Sequence, residues 1–129
     1  MTMKARDLTN AYRQTAVETR VHEADPHRLV ELMLEGAIQR LRVAEACTTS
    51  GDIARKAKAA SEAGAIVDSL SGCLDFSQGG EIAQRLEALY DYASRRIATA
   101  NAANDPAGFS EAAALLDDVF AAWKQIKPA

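Results

Sequence analysis

The chain has 129 residues, enough for one domain with its own core but not for two. Apolar residues make up 48% of it, yet 27 of them are alanine and only seven are aromatic, a balance that favours helices over strands. The net charge is −3, no apolar run approaches the roughly 18–20 residues of a membrane span, and the N-terminus lacks a signal-type apolar stretch. These features argue against a nucleic-acid binder, a membrane-spanning protein and a secreted one.

Residues 1–24 are expected to form an N-terminal arm or to carry a short helix. Its basic residues Lys4, Arg6, Arg13 and Arg20 stand against Asp7 and Glu18, too weak a pattern for nucleic acid. Asp25-Pro26 then opens the first helix, predicted over 26–47. The Asp side chain can accept from free first-turn N–H groups, and a proline at the first helical position gives up no hydrogen bond. Ten of the sixteen residues from 29 to 44 are apolar, Leu29 to Ala44, more than a bundle helix needs. The surplus implies a central helix or an apolar groove with no occupant.

Breaks at Thr48 to Asp52 and at Ser77 to Gly80 bound a second helix, predicted over 52–74. Its small residues, Ala54, Ala57, Ala59, Ala60, Ala63, Gly64 and Ala65, allow either close packing within a bundle, the favoured reading, or a shallow channel. Arg55, Lys56 and Lys58 read as a solvated patch. The third helix, predicted over 80–103, repeats Ile82, Leu86, Leu89, Ala93, Ile97 and Ala100 at helical spacing. Asp105-Pro106 opens the fourth, predicted over 106–127, whose stripe is Phe109, Ala112, Leu116, Val119, Trp123 and Ile126. Trp123 is therefore read as core. Four long helices with short connections predict an all-α fold, an antiparallel four-helix bundle over 25–127 in a single domain of residues 1–129.

Catalytic and metal chemistry find little support. His22 and His27 are five residues apart across a helix boundary, and the Glu-x-x-His pairs of di-metal bundles are absent. His27 reads as a first-turn surface residue. Cys47 and Cys73 form no Cys-x-x-Cys and have no nearby histidine, and Cys73 reads as a small apolar residue of the second helix. No phosphate-binding glycine loop or nucleophile elbow occurs. No enzyme, metal or cofactor is expected, and the reduced cysteines suit a cytoplasmic setting. Along Leu89–Asp105, Tyr90 lies beside the core stripe. Tyr92 lies off it and shares a face with Ala88, Arg96 and Thr99, Asp91 can pair with Arg95, and Asn101 and Asn104 can end the helix.

That stretch and three others together resemble one family. Ala11-Tyr12 with Thr15 and Val17 looks like an N-terminal tyrosine segment, and Ala24–Ile38 like a leucine-rich first helix with a Gly36-Ala37 step. Gly79–Asn101 followed by Asn104-Asp105 looks like a signature, and Ala122–Ile126 like a tryptophan-bearing closing helix. The ordered set is similar to the flagellin export chaperones of bacteria, the FliS family. Asp25 stands where serine is common in it, Leu34 where tyrosine is, Arg85 for asparagine and Ala93 for methionine.

The resemblance implies a cytosolic bundle that binds the disordered C-terminal region of flagellin and masks its polymerising surface until export. It also implies an arm that can lie over part of the groove. It carries over to Tyr12, Tyr92 and Arg96 as client contacts. Face arguments add Leu8 in the arm, Leu34 and Ile38 on the first helix, and Thr99 on the third. The surplus face of the first helix and the small residues of the second could supply such a groove. Other partners consistent with the resemblance are an anti-sigma factor, a co-chaperone and the export apparatus. An adaptor for one of these is the alternative function, and spare apolar surface would also allow a homodimer without client.

Overall fold

The structure, a computed structural model, describes residues 25–126. Leu8, Tyr12 and the rest of the expected arm lie outside the described residues. Four helices follow in order: α1 (Pro26–Ser50), α2 (Ile53–Gly72), α3 (Phe76–Ala103) and α4 (Pro106–Gln125). Each packs on its neighbours in a closed cycle, α1 on α2, α2 on α3, α3 on α4 and α4 on α1. With short turns between them, this is the antiparallel four-helix bundle.

All four helices start at an aspartate. Asp25 accepts from the Arg28 amide at 2.8 Å and Asp52 from Arg55 at 3.2 Å. Asp75 accepts from Ser77 at 3.0 Å and Gln78 at 3.2 Å, and Asp105 from Ala107 at 3.0 Å. Each contact satisfies a first-turn N–H that has no partner within its helix. The Ser77 hydroxyl and the Gln78 amide hold Asp75 below the usual carboxylate pKa. Gly51 (φ 84°) and Asn104 (φ 52°) close α1 and α3 in the left-handed conformation, as the sequence suggested for Asn104.

The break expected over Ser77–Gly80 is confined to Gly80. Asp75 caps a helical turn upstream of it, so α3 begins four residues early and kinks at Gly80 (φ 52°, ψ −121°). A side chain would be strained in that region of backbone space.

The core takes Met33, Leu34, Ala37 and Leu41 from α1, and Ala63, Ile66, Val67 and Leu70 from α2. From α3 and α4 it takes Ala93, Ile97, Phe109 and Leu116. Burying a large apolar side chain contributes roughly 1.5–3 kcal/mol. The apolar surplus of α1 is taken up at this core: Leu32, Met33, Leu34, Ala37, Leu41 and Ala44 are buried, and Leu29, Val30, Ile38 and Val43 pack against it half-buried. Ala59, Ala60 and Ala63 of α2 are buried, so the small-residue face is close packing and not a channel. Leu34 is 0% exposed, which corrects its reading as a contact residue: its side chain has no accessible surface. Ile38 is half-buried against the core.

Lys56 departs from its reading as a solvated residue. It is 3% exposed, and its ammonium donates to the Asn101 carbonyl at 2.9 Å and to Asn101 Oδ1 at 2.7 Å. The cation sits at the C-terminal end of α3, where backbone carbonyls lack helical partners and the helix dipole is negative. Asn101 thus anchors Lys56, while Asn104 ends the helix.

Candidate functional site

α3 is 28 residues long, against 20 for α2 and 20 for α4. Its C-terminal half is pinned to both neighbours. Lys56 of α2 reaches Asn101, Ser94 donates to Asp68 of α2 at 3.0 Å, and Arg96 donates to Glu111 of α4 at 2.6 Å. The surplus length therefore falls in its N-terminal half, and that half is under-covered. The α3 stripe read as core is buried at Ala93, Ile97 and Ala100, but Leu86 and Leu89 are half-buried and Ile82 is 64% exposed. The α4 stripe behaves in the same way: Phe109 to Val119 are buried, Trp123 is half-buried and Ile126 is 50% exposed.

Two apolar clefts lie on either side of the Ile82–Leu86 ridge. One, of about 280 Å³, opens between the ends of α2 and α3, walled by Val30, Leu70, Cys73, Leu74, Tyr90 and Trp123. The other, of about 270 Å³, runs along the α3–α4 seam between the ridge and Val119, Ala122, Trp123 and Ile126, with Asp118 on its wall. Ile82, Leu86 and Trp123 belong to both. This surface is the open groove. It lies along α3, whereas the sequence left open a groove supplied by α1 and α2.

Trp123 thus packs against the core on one side and walls both clefts on the other. Its ring stacks on His27, centroids 4.7 Å apart and planes 12° apart, and its indole N–H donates to the His27 carbonyl at 2.9 Å. This holds the end of α4 against the first turn of α1. His27 is correspondingly tucked under Trp123 and is not a plain surface residue. Cys73, read as an apolar residue of the second helix, instead caps α2 with its thiol exposed at the first cleft, whereas Cys47 is buried.

Beyond the second cleft a polar latch closes the α3–α4 seam. Tyr92 Oη donates to Glu111 Oε2 at 2.7 Å and Arg96 Nε donates to Glu111 Oε1 at 2.6 Å. Arg96 also reaches Asp105 at 3.3 Å. The Arg96 guanidinium and then the Tyr92 hydroxyl hold Glu111 below the usual carboxylate pKa, and the Glu111 carboxylate holds Tyr92 above the usual phenol value. Gly108 makes the close approach feasible: a Cβ there would lie 2.6 Å from Ala100 Cβ and 2.8 Å from Arg96 Nη1. Thr99 is exposed on the same helix, its hydroxyl donating to the Arg95 carbonyl, and Asp91 pairs with Arg95 at 3.1 Å as expected. Tyr92, Arg96 and Thr99 therefore share one accessible face. Among the described residues no group of His, Cys, Asp and Glu could hold a metal ion, and no helix is long and apolar enough to cross a membrane.

A family model described as "Flagellar protein FliS" matches residues 8–129. The chain belongs to the FliS family. It is 43% identical over 119 residues to the flagellar secretion chaperone FliS of Salmonella typhimurium, covering 92% of this chain and 88% of that one. It is 34% identical to the FliS of Vibrio cholerae (95% and 90% covered). It is 35% identical to the flagellar secretion chaperone FliSB of Pseudomonas aeruginosa (96% and 98% covered). FliS proteins are chaperones, not enzymes, and the role of this FliS chain is in export for flagellum assembly. The apolar clefts along α3 suit that role.

Tyr90, which belongs to the first cleft, has a pH signature. Burial pushes its phenol up to about 12 from the ordinary 10. Folding thus favours the protonated form, so stability is intact below pH 10 and falls as pH rises towards about 12. A rise of two pH units corresponds to about 2–3 kcal/mol. Urea midpoints compared at about pH 9 and about pH 11.5 are expected to drop more in the wild type than in Tyr90→Phe. Equal drops would locate the alkaline loss elsewhere.

Proposed function

We propose that this chain is a cytoplasmic export chaperone that binds the C-terminal segment of flagellin and keeps it from polymerising before secretion. The observation that carries the reading is the pair of apolar clefts flanking the Ile82–Leu86 ridge. An amphipathic client helix presents anchors at i, i+3, i+4 and i+7 and needs a long apolar track to receive them. Ile82 and Ile126 are half or more exposed along that track, a cost in water that a client would relieve.

The first turn of α1 meets the cleft wall at His27 and Val30, so the chain enters the bundle beside this surface. Leu8 and Tyr12 in the preceding segment remain proposed contacts. Ile38, on α1, is a weaker one. Tyr92 and Arg96 of the latch, with Thr99 beside them, extend the proposed surface along α3.

Calorimetric titration with the flagellin C-terminal segment of the same organism tests the reading. Tight, roughly one-to-one binding with a large negative heat-capacity change would support folding of a client on an apolar surface. No binding by folded protein, with the arm also removed, would sink the flagellin reading and leave an adaptor for another flagellar or regulatory protein. Tyr92→Ala is expected to weaken client binding about tenfold with helix content unchanged, since the residue is 42% exposed. Wholesale loss of helix by circular dichroism would instead make Tyr92 a structural residue.

A further inference from the structure

We propose that Asp118 is a specificity-determining residue, selecting a client helix that carries a lysine or arginine beside its apolar anchors. The inference rests on the chaperone reading above and names the client chemistry it requires. Asp118 stands on the wall of the α3–α4 cleft among Ile82, Leu86, Val119, Ala122 and Ile126, and it is the charged member of that wall.

Among the described residues, the cations of α3 and α1 nearest this wall, and Lys124 of α4 itself, are engaged elsewhere. Arg85 of α3 pairs with Glu81 at 2.6 Å, and Arg96 is held by Glu111 and Asp105. Arg42 of α1 turns to Glu45 and to Asp117. Lys124 of α4 lies over the Phe120 ring, 4.4 Å from its centroid. Asp75, the carboxylate at the other cleft, is occupied in capping α3. Asp118 is left with no ion pair and no side-chain hydrogen bond among the described residues.

In the free protein an exposed carboxylate is hydrated and costs nothing. Once a client helix fills the cleft, the same carboxylate loses water, and its uncompensated burial opposes binding. A client cation within hydrogen-bonding reach offsets that loss with a charge-assisted contact. A client carboxylate at the same place is repelled, so the residue discriminates by repulsion as well as by attraction. Such a pair at the rim of an apolar contact governs partner choice more than total affinity.

The test is a charge swap between the two molecules. Each lysine and arginine of the flagellin C-terminal segment is replaced singly by glutamate. Each variant is titrated calorimetrically into full-length wild-type, Asp118→Asn and Asp118→Lys proteins at low and high salt. At one client position the reversal is expected to weaken wild-type binding about tenfold. Asp118→Asn should shrink that penalty, and Asp118→Lys should restore affinity to within about twofold. High salt should compress all these differences. If no client reversal is rescued by Asp118→Lys, the proposal is overturned. A wild-type protein that does not bind the unmodified segment overturns the chaperone reading instead, an outcome visible before any variant is compared.

Discussion

Ile82→Glu is expected to weaken binding of the flagellin C-terminal segment about 100-fold while leaving the free protein folded. Ile82 is 64% exposed, so the substitution removes almost no core packing and removes an apolar group from water. The complex is a different matter. Ile82 is shared by both clefts, and any helix lying along either one covers it. A glutamate there would have to be desolvated without a partner, or would hold the client away from the surface. Central apolar anchors of interfaces cost 2 kcal/mol or more when lost, and a 100-fold loss corresponds to about 2.7 kcal/mol. Calorimetric titration gives the affinity, and circular dichroism with urea unfolding reports on the fold. Affinity within about twofold of wild type would place the client somewhere other than these clefts.

Lys56→Met is expected to destabilise the bundle by about 2–4 kcal/mol, with client affinity of the folded protein unchanged. Methionine nearly preserves the length of the buried stem, so little packing volume is lost. What disappears is the pair of ammonium contacts to Asn101, its carbonyl at 2.9 Å and its side-chain oxygen at 2.7 Å. Hydrogen bonds to a charged group contribute about 1.5–3 kcal/mol, and acceptors left dry behind them add to the loss. The favourable placement of a cation at the end of α3 goes as well. At the size of this chain, each 1 kcal/mol lowers Tm by about 4 °C, so a fall of about 8–16 °C is expected in thermal unfolding. A change of less than about 2 °C would show that water replaces the ammonium at no cost.

What the sequence made legible is what is decided locally. Asp25-Pro26 and Asp105-Pro106 mark helix starts because a cap and its first turn are neighbours in the chain, and both helices begin there. Asp75 was harder to see, because the Gly79-Gly80 pair that follows it looks like a break. In the structure only Gly80 leaves the helical region. The periodic stripes of α3 and α4 correctly identified the apolar faces. They could not tell covered from uncovered, because a stripe records which side is apolar and not whether a neighbouring helix is long enough to cover it. Ile82, Leu86, Trp123 and Ile126 continue the core pattern and form the cleft for that reason.

The same limit explains Leu34 and Lys56. Leu34 lies on a helix with apolar residues on most sides, and which of them face the core depends on how α2 and α4 dock. Lys56 is indistinguishable in sequence from Arg55 and Lys58, since its partner Asn101 lies 45 residues away. The latch was half visible. Tyr92 and Arg96 sit one turn apart on one face, but the carboxylate they converge on, Glu111, comes from the next helix.

Cys73 supplies the most direct test of where the client sits. Its thiol is exposed at the first cleft, while Cys47 is buried in α1, so fast labelling by a thiol reagent reports on that cleft in the unmodified protein. The measurement is the labelling rate of Cys73 with and without a saturating, cysteine-free flagellin C-terminal segment. The account predicts at least a roughly tenfold slowing on client binding, as the covered thiol loses access to reagent. An unchanged rate, with calorimetry showing the segment bound, would contradict the assignment of this cleft as the client site.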